Sequence, residues 1–199
     1  MAGRESRISS FIQENVKDFF DEIEIDPLGS IICKKFSKKK AKQKILLLCH
    51  MDEIGFLVSH INSKGFLFVD PVGGFDPRNL FSRRVLVCTE NGDYKAVMNP
   101  PGKPVHTQSA MDRKKIPEPN EFFIDMGIGE KAKDKVKIGD FVVMDEPFLE
   151  LSDKVVSKAL DNRIACWLGM ELAKYIHENK LELDNDLYIV FTSQEEVGL

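Results

Sequence analysis

Ile8, Phe11, Ile12, Val16, Phe19 and Phe20 recur at three- and four-residue intervals, which predicts an amphipathic helix near the start of the chain. Asp26-Pro27-Leu28-Gly29 reads as a turn, followed by a short strand over residues 31–36. The unbroken apolar run Ile45-Leu46-Leu47-Leu48-Cys49 predicts a strand covered on both faces. It stops abruptly at His50-Met51-Asp52-Glu53. The basic stretch 34–44 between these two strands, interrupted by Ser37 and Ala41, reads as a solvated hairpin turn rather than a phosphate-binding patch.

From residue 54 to about 143 the pattern changes. Short β-type runs at 55–61, 66–69, 84–88, 94–98, 122–126 and 140–144 alternate with Gly, Pro, Asn and Asp turns. Asn62-Ser63-Lys64-Gly65 and Asn91-Gly92-Asp93 read as hairpin loops. Repeated short strands without helices predict a small barrel or sandwich. Pro100, Pro101, Pro104, Pro117 and Pro119 mark 99–120 as an exposed loop. Helical spacing returns with Ile164, Trp167, Leu168, Leu172, Tyr175 and Ile176, ending near Asn179, and a buried strand at 187–191 runs into Thr192-Ser193-Gln194-Glu195-Glu196. The ends are therefore α/β and the middle all-β, which predicts a β module inserted into an α/β domain. The boundaries fall at 1–53 with 146–199 for the α/β part and 54–145 for the insertion.

Composition narrows the function classes. A chain of 199 residues is long enough to bury a substantial core. A net charge of -4 gives no reason to expect nucleic acid. No apolar run approaches the ~20 residues needed to span a membrane, and the polar first ten residues carry no secretory signal. Cys33, Cys49, Cys88 and Cys166 show no C-x-x-C spacing, so neither a zinc knuckle nor a disulfide framework is expected. Buried thiols in a reducing, cytoplasmic compartment are expected instead.

Three acidic or imidazole clusters occupy equivalent positions. His50 and Asp52 follow one apolar strand, Asp161 opens a helix, and Glu195-Glu196 follows the other apolar strand. In open α/β sheets ligands gather at the carboxyl ends of strands, so the three could converge. Residues i and i+2 of extended chain face the same way, which lets Asp52 orient the imidazole of His50 and free its other nitrogen for a metal. Glu195 and Glu196 point to different sides, so one can ligate while the other moves protons. Asp161 has two oxygens and could bridge two cations. Each signal also has an ordinary structural reading. A His after a strand is more often a satisfied polar residue, a Glu pair is usually solvated surface, and Asp161 suits a helix N-cap or first turn. His60, His106 and His177 fall in a β-rich surface position, the Pro-rich loop and a helix end. Gly73-Gly74 and Gly127-Ile128-Gly129 lack the strand–glycine–helix context of a nucleotide site, and no G-x-S-x-G motif is present.

The chain resembles the M42 family of metallo-aminopeptidases, the tetrahedral and glutamyl aminopeptidases, some labelled endoglucanases. The resemblance rests on His50-Met51-Asp52-Glu53-Ile54-Gly55-Phe56, Pro71-Val72-Gly73-Gly74, Ser157-Lys158-Ala159-Leu160-Asp161-Asn162-Arg163 and Ser193-Gln194-Glu195-Glu196-Val197-Gly198-Leu199. Lys103-Pro104-Val105-His106, Phe123-Ile124-Asp125-Met126-Gly127 and Ile138-Gly139-Asp140 add weaker matches, all in family order. It implies an α/β/α di-metal peptidase domain interrupted by a β-barrel used in oligomerisation. It further implies two divalent ions, zinc or cobalt, with His50 on one, Glu196 on the other and Asp161 bridging. Glu195 would be the general base and Asp52 would orient His50. The substrate would be a peptide with a free N-terminus, and the assembly a homo-oligomer of dimers building to dodecamers. The same resemblance places two remaining ligands, an Asp and a His, beyond Leu199. Residues 1–199 alone are then expected to be inactive and marginally stable, and the alternative is a non-catalytic remnant whose barrel mediates self-association. A glucanase rests on the label alone, since the ligand set does not suit paired-carboxylate glycosidase chemistry.

Overall fold

The computed structural model describes residues 1–39 and 43–198. Lys40, Ala41, Lys42 and Leu199 lie outside these, and with them part of the basic stretch and the last residue of the Glu-Glu segment. The chain divides into two compact units, Met1–Glu53 with Ala159–Leu199, and Ile54–Lys158. In chain order the first unit contributes α1 (Ser6–Val16), β1 (Glu22–Ile25), β2 (Ile31–Lys35) and β3 (Lys44–His50). The second contributes β4 (Gly55–Ile61), β5 (Leu67–Val72), β6 (Arg83–Thr89), β7 (Gly92–Asn99), β8 (Phe123–Asp125), β9 (Phe141–Met144), β10 (Leu149–Glu150) and β11 (Val155–Val156). The chain then returns to the first unit with α2 (Leu160–Glu178) and β12 (Asp186–Thr192).

The first unit is a mixed sheet in the order β1-β2-β12-β3, with helices on one face. β12 runs antiparallel to β2 and parallel to β3. Its register aligns Cys33 with Ile189 and Leu47, and Ile31 with Phe191 and Cys49. That face packs against Ile12 and Val16 of α1 and Cys166, Ala173 and Ile176 of α2. The close fit of α2 depends on Gly169, where a Cβ would lie 3.1 Å from Ile189 Cγ2.

Two expectations change here. The 34–44 stretch does not turn a hairpin, because β12 inserts between β2 and β3. The reason is non-local: β12 alternates half-buried and buried residues and supplies hydrogen-bonding edges to both neighbours. The lysines of the stretch meet acids, Lys34 with Glu24 at 2.6 Å, Lys35 with Asp21 at 3.1 Å and Lys39 with Asp184 at 3.0 Å. The apolar run of β3 is also not covered on both faces by the described residues. β3 is an edge strand here, and Leu46 and Leu48, at 57% and 62% exposure, lie on the face opposite the helices.

In the second unit β4-β5-β8-β7-β6-β9 close into a barrel. Its interior is filled by alternating strand residues, Phe56, Val58, Leu67, Val69, Val85, Val87, Ala96, Met98, Ile124 and Val142, with Leu80 and Phe122 from the connections. The 62–65 turn is an Asx-type loop in which Asn62 Oδ1 accepts from the amides of Lys64 and Phe66, both at 3.0 Å. Gly65 sits at φ +85°, and a Cβ there would collide with the carbonyl oxygen of Gly129. The hairpin β10–β11 belongs to this unit, so the second junction falls after Lys158 where the sequence pattern suggested residue 145. Leu149, Leu151, Val155 and Val156 of this hairpin are exposed, so no burial periodicity marks it in the sequence.

Candidate metal centre

β3 and β12 are parallel and aligned His50 to Thr192, so both end at one edge of the sheet, and the Met51 amide extends the pairing to Thr192 O at 2.8 Å. The segments that leave these two strands therefore meet. Asp52, fully buried, accepts the amide of Glu195 at 3.2 Å through Oδ1 and that of Glu196 at 3.0 Å through Oδ2. The same Oδ1 lies 3.4 Å from His50 Nδ1, too poorly aligned for a hydrogen bond. Among the described residues Nδ1 is the one buried side-chain nitrogen or oxygen without a hydrogen-bond partner. The other ring nitrogen, Nε2, faces outward, 3.2 Å from Asp161 Oδ1 and 3.7 Å from Glu195 Oε2.

Asp161 opens α2, but its backbone and that of Asn162 depart from helical geometry, and their peptide bond is cis. Its carboxylate meets His50, and no side chain caps the helix. Arg163, one turn into the helix, donates to Met51 O at 3.3 Å and to Glu53 at 3.2 Å, tying the segment after β3 to α2. Cys166 donates its thiol to His50 O at 3.2 Å. From the N-terminus, buried Glu5 accepts the amides of Gly3 at 2.8 Å and Gln194 at 3.1 Å on one oxygen.

The donors fit a cation. One ligand atom from each of His50, Glu195 and Glu196 lies within 4.8 Å of the others, and Asp161 stands beside them. Unneutralised, this crowd of carboxylates is costly. Glu196 is held above the ordinary glutamate range, first by burial and then by the charges of Asp52, Glu195 and Asp161, against the opposing pull of His50. A divalent ion would remove that penalty, and a neutral His50 presenting Nε2, with Nδ1–H toward Asp52, is the tautomer it would need.

All five residues singled out in the sequence thus come together. His60 and His106 belong to the barrel unit, and His177 packs against Phe19 with ring centroids 5.3 Å apart. The four cysteines are all buried, and burial pushes the Cys33 thiol up to about 12. Glu5 and Cys166 were not recognised from sequence, and Arg163 entered only as part of a motif. Nothing local marks Glu5, an acid in a polar stretch whose partner is 189 residues away.

Among the described residues no helix is long and apolar enough to cross a membrane. The profile of the M42 glutamyl aminopeptidase family matches residues 29–199. A putative aminopeptidase of Acetivibrio thermocellus is 37% identical over all of this chain and 56% of its own length. The structure of a TET aminopeptidase from the marine archaeon Thaumarchaeota archaeon SCGC AB-539-E09 superimposes with a TM-score of 0.91 at 33% identity, covering 99% of this chain and 56% of that one. The TET1 peptidase of Pyrococcus horikoshii, described as assembling into a tetrahedron or a large octahedral shell, gives 0.86 at 32% identity, covering 100% and 58%. The chain spans little more than half the length of these relatives. With its matched profile, its inserted barrel and its acid–imidazole cluster at the sheet edge, the chain belongs to the M42 glutamyl aminopeptidase family.

Proposed function

We propose that this chain carries the first part of the catalytic centre of a metal-dependent aminopeptidase that removes N-terminal residues from peptides. The observation that supports it most is the convergence of His50, Glu195 and Glu196 donors within 4.8 Å at the ends of two parallel strands. In this reading His50 and Glu196 would each hold one of two divalent ions, zinc or cobalt, and Asp161 would serve as a ligand shared between them. Such a pair supplies an activated water at neutral pH and a polarised scissile carbonyl. Glu195 accepts the proton of the attacking water and delivers it to the leaving amine as the peptide C–N bond breaks. Asp52 keeps His50 oriented and holds the backbone of both glutamates. The barrel, residues 54–145 in this reading, serves homo-oligomeric assembly, and the protein works in the cytoplasm.

The test is cobalt binding followed by visible absorption. Residues 1–199 are expected to bind cobalt, to be stabilised by about 2.7 kcal/mol at a hundredfold excess over Kd, and to lose both on His50→Ala. In a protein that hydrolyses aminoacyl-anilides through this centre, turnover is expected to be chelator-sensitive, and Glu195→Gln to lower it roughly 100- to 10,000-fold while cobalt stays bound. Cobalt binding indifferent to His50→Ala, or full turnover after Glu195→Gln, would sink the assignment in favour of a non-catalytic module.

A further inference from the structure

We propose that Glu5 is a positioning residue for the Glu195–Glu196 pair, acting from the far end of the chain through the amide of Gln194. The inference rests on the reading of Glu195 and Glu196 as base and ligand. Glu5 stands at the N-cap position of α1, but its side chain makes no capping bond to that helix. Its carboxylate is buried and turned instead to Gly3 and to Gln194 N. Gln194 is in the left-handed region at φ 61°, a conformation that a residue with a Cβ adopts only when its surroundings hold it there.

Three successive amides therefore point at two buried carboxylates. Gln194 N goes to Glu5, and Glu195 N and Glu196 N go to Asp52. Bonds from backbone N–H to an ionised carboxylate are among the stronger hydrogen bonds. Asp52 anchors the two functional residues themselves, and Glu5 anchors the strained residue that starts the turn. Releasing Glu5 lets Gln194 relax toward ordinary backbone geometry, which swings both carboxylates away from His50 Nε2. Sequence separation of 189 residues also makes Glu5 a tie between the start of the chain and the end of β12.

The experiment compares wild type, Glu5→Ala, Glu5→Asp and Glu5→Gln by hydrogen exchange and by cobalt titration. In Glu5→Ala, exchange of amides 194–196 is expected to accelerate about tenfold or more, as for loss of a hydrogen bond to a charged group. Cobalt affinity is expected to fall about 10- to 100-fold, the effect of removing an outer partner of a metal ligand. Glu5→Asp, one methylene too short to reach Gln194, should reproduce both effects should the alanine variant fold poorly. Glu5→Gln keeps an acceptor oxygen and should restore most of the protection and affinity. Unchanged exchange at 194–196 in Glu5→Asp overturns the proposal. So does unchanged cobalt affinity in a protein that binds cobalt. Absence of cobalt binding in wild type would instead count against the metal reading, leaving the exchange result to decide the anchoring role.

Discussion

At the scale of single residues the site is a set of charges held closer than they would choose without a cation. Glu196 is held above its ordinary range by burial and by its acidic neighbours. The native state therefore binds that proton more tightly than the unfolded chain does. Stability linked to the proton is fully present below the unfolded pKa and is lost as pH rises through the raised native value. Charged Glu196 thus costs the metal-free protein stability at neutral pH. Glu196→Gln is expected to raise the urea midpoint of the metal-free protein at pH 7, with the gain shrinking on acidification into the carboxylate range. Added cobalt should reverse the order, because the variant has lost a donor. A difference between the two proteins that ignores both pH and cobalt would contradict this account.

At the scale of elements, two close approaches show where a glycine is required by its surroundings. On α2, Gly169 lets the helix settle onto Ile189 of β12. In the barrel, Gly65 combines a positive φ with the backbone of Gly129 standing where its Cβ would be. Gly65→Ala is expected to cost roughly 3 kcal/mol, combining about 1–2 for the left-handed backbone with 1–3 for overpacking. Urea denaturation followed through the barrel's tyrosine, Tyr94, checks this. A change below about 0.5 kcal/mol, the range of an ordinary surface substitution, would mean that the turn moves away from Gly129 freely. The Asn62-Ser63-Lys64-Gly65 turn was legible in sequence, since Asn and Gly in that order have a local mechanism. The neighbour that makes Gly65 obligatory, Gly129, was not, because it comes from a loop more than sixty residues on.

At the scale of the whole chain, one sheet face of the first unit stays open among the described residues. Leu46 and Leu48 project from it, and Ile32, Tyr188 and Val190 share their parity in the register. Apolar surface of this kind favours association. Residues 1–199 are expected to bind a hydrophobic dye and to scatter light increasingly with concentration. Leu46→Lys with Leu48→Lys should reduce both signals while leaving the barrel's denaturation unchanged. Dye binding and scattering that are insensitive to the double substitution would place the sticky surface elsewhere.

Local physics sufficed for much of the molecule. Helical spacing marked α1 and α2, alternation and turn residues marked the barrel strands, and two apolar runs ending in His50-x-Asp52 and Glu195-Glu196 marked the sheet edge. Those signals involve residues within a few positions of each other, where hydrophobic period and turn chemistry act directly. Only the tertiary structure decided the rest. It placed β12 between β2 and β3, set His50 beside Thr192, left the second face of β3 open among the described residues and grouped the β10–β11 hairpin with the barrel in one unit. It also turned Glu5 from its own helix to Gln194. These depend on which distant segment offers the better edge, surface or acceptor, and that competition is resolved when the chain packs.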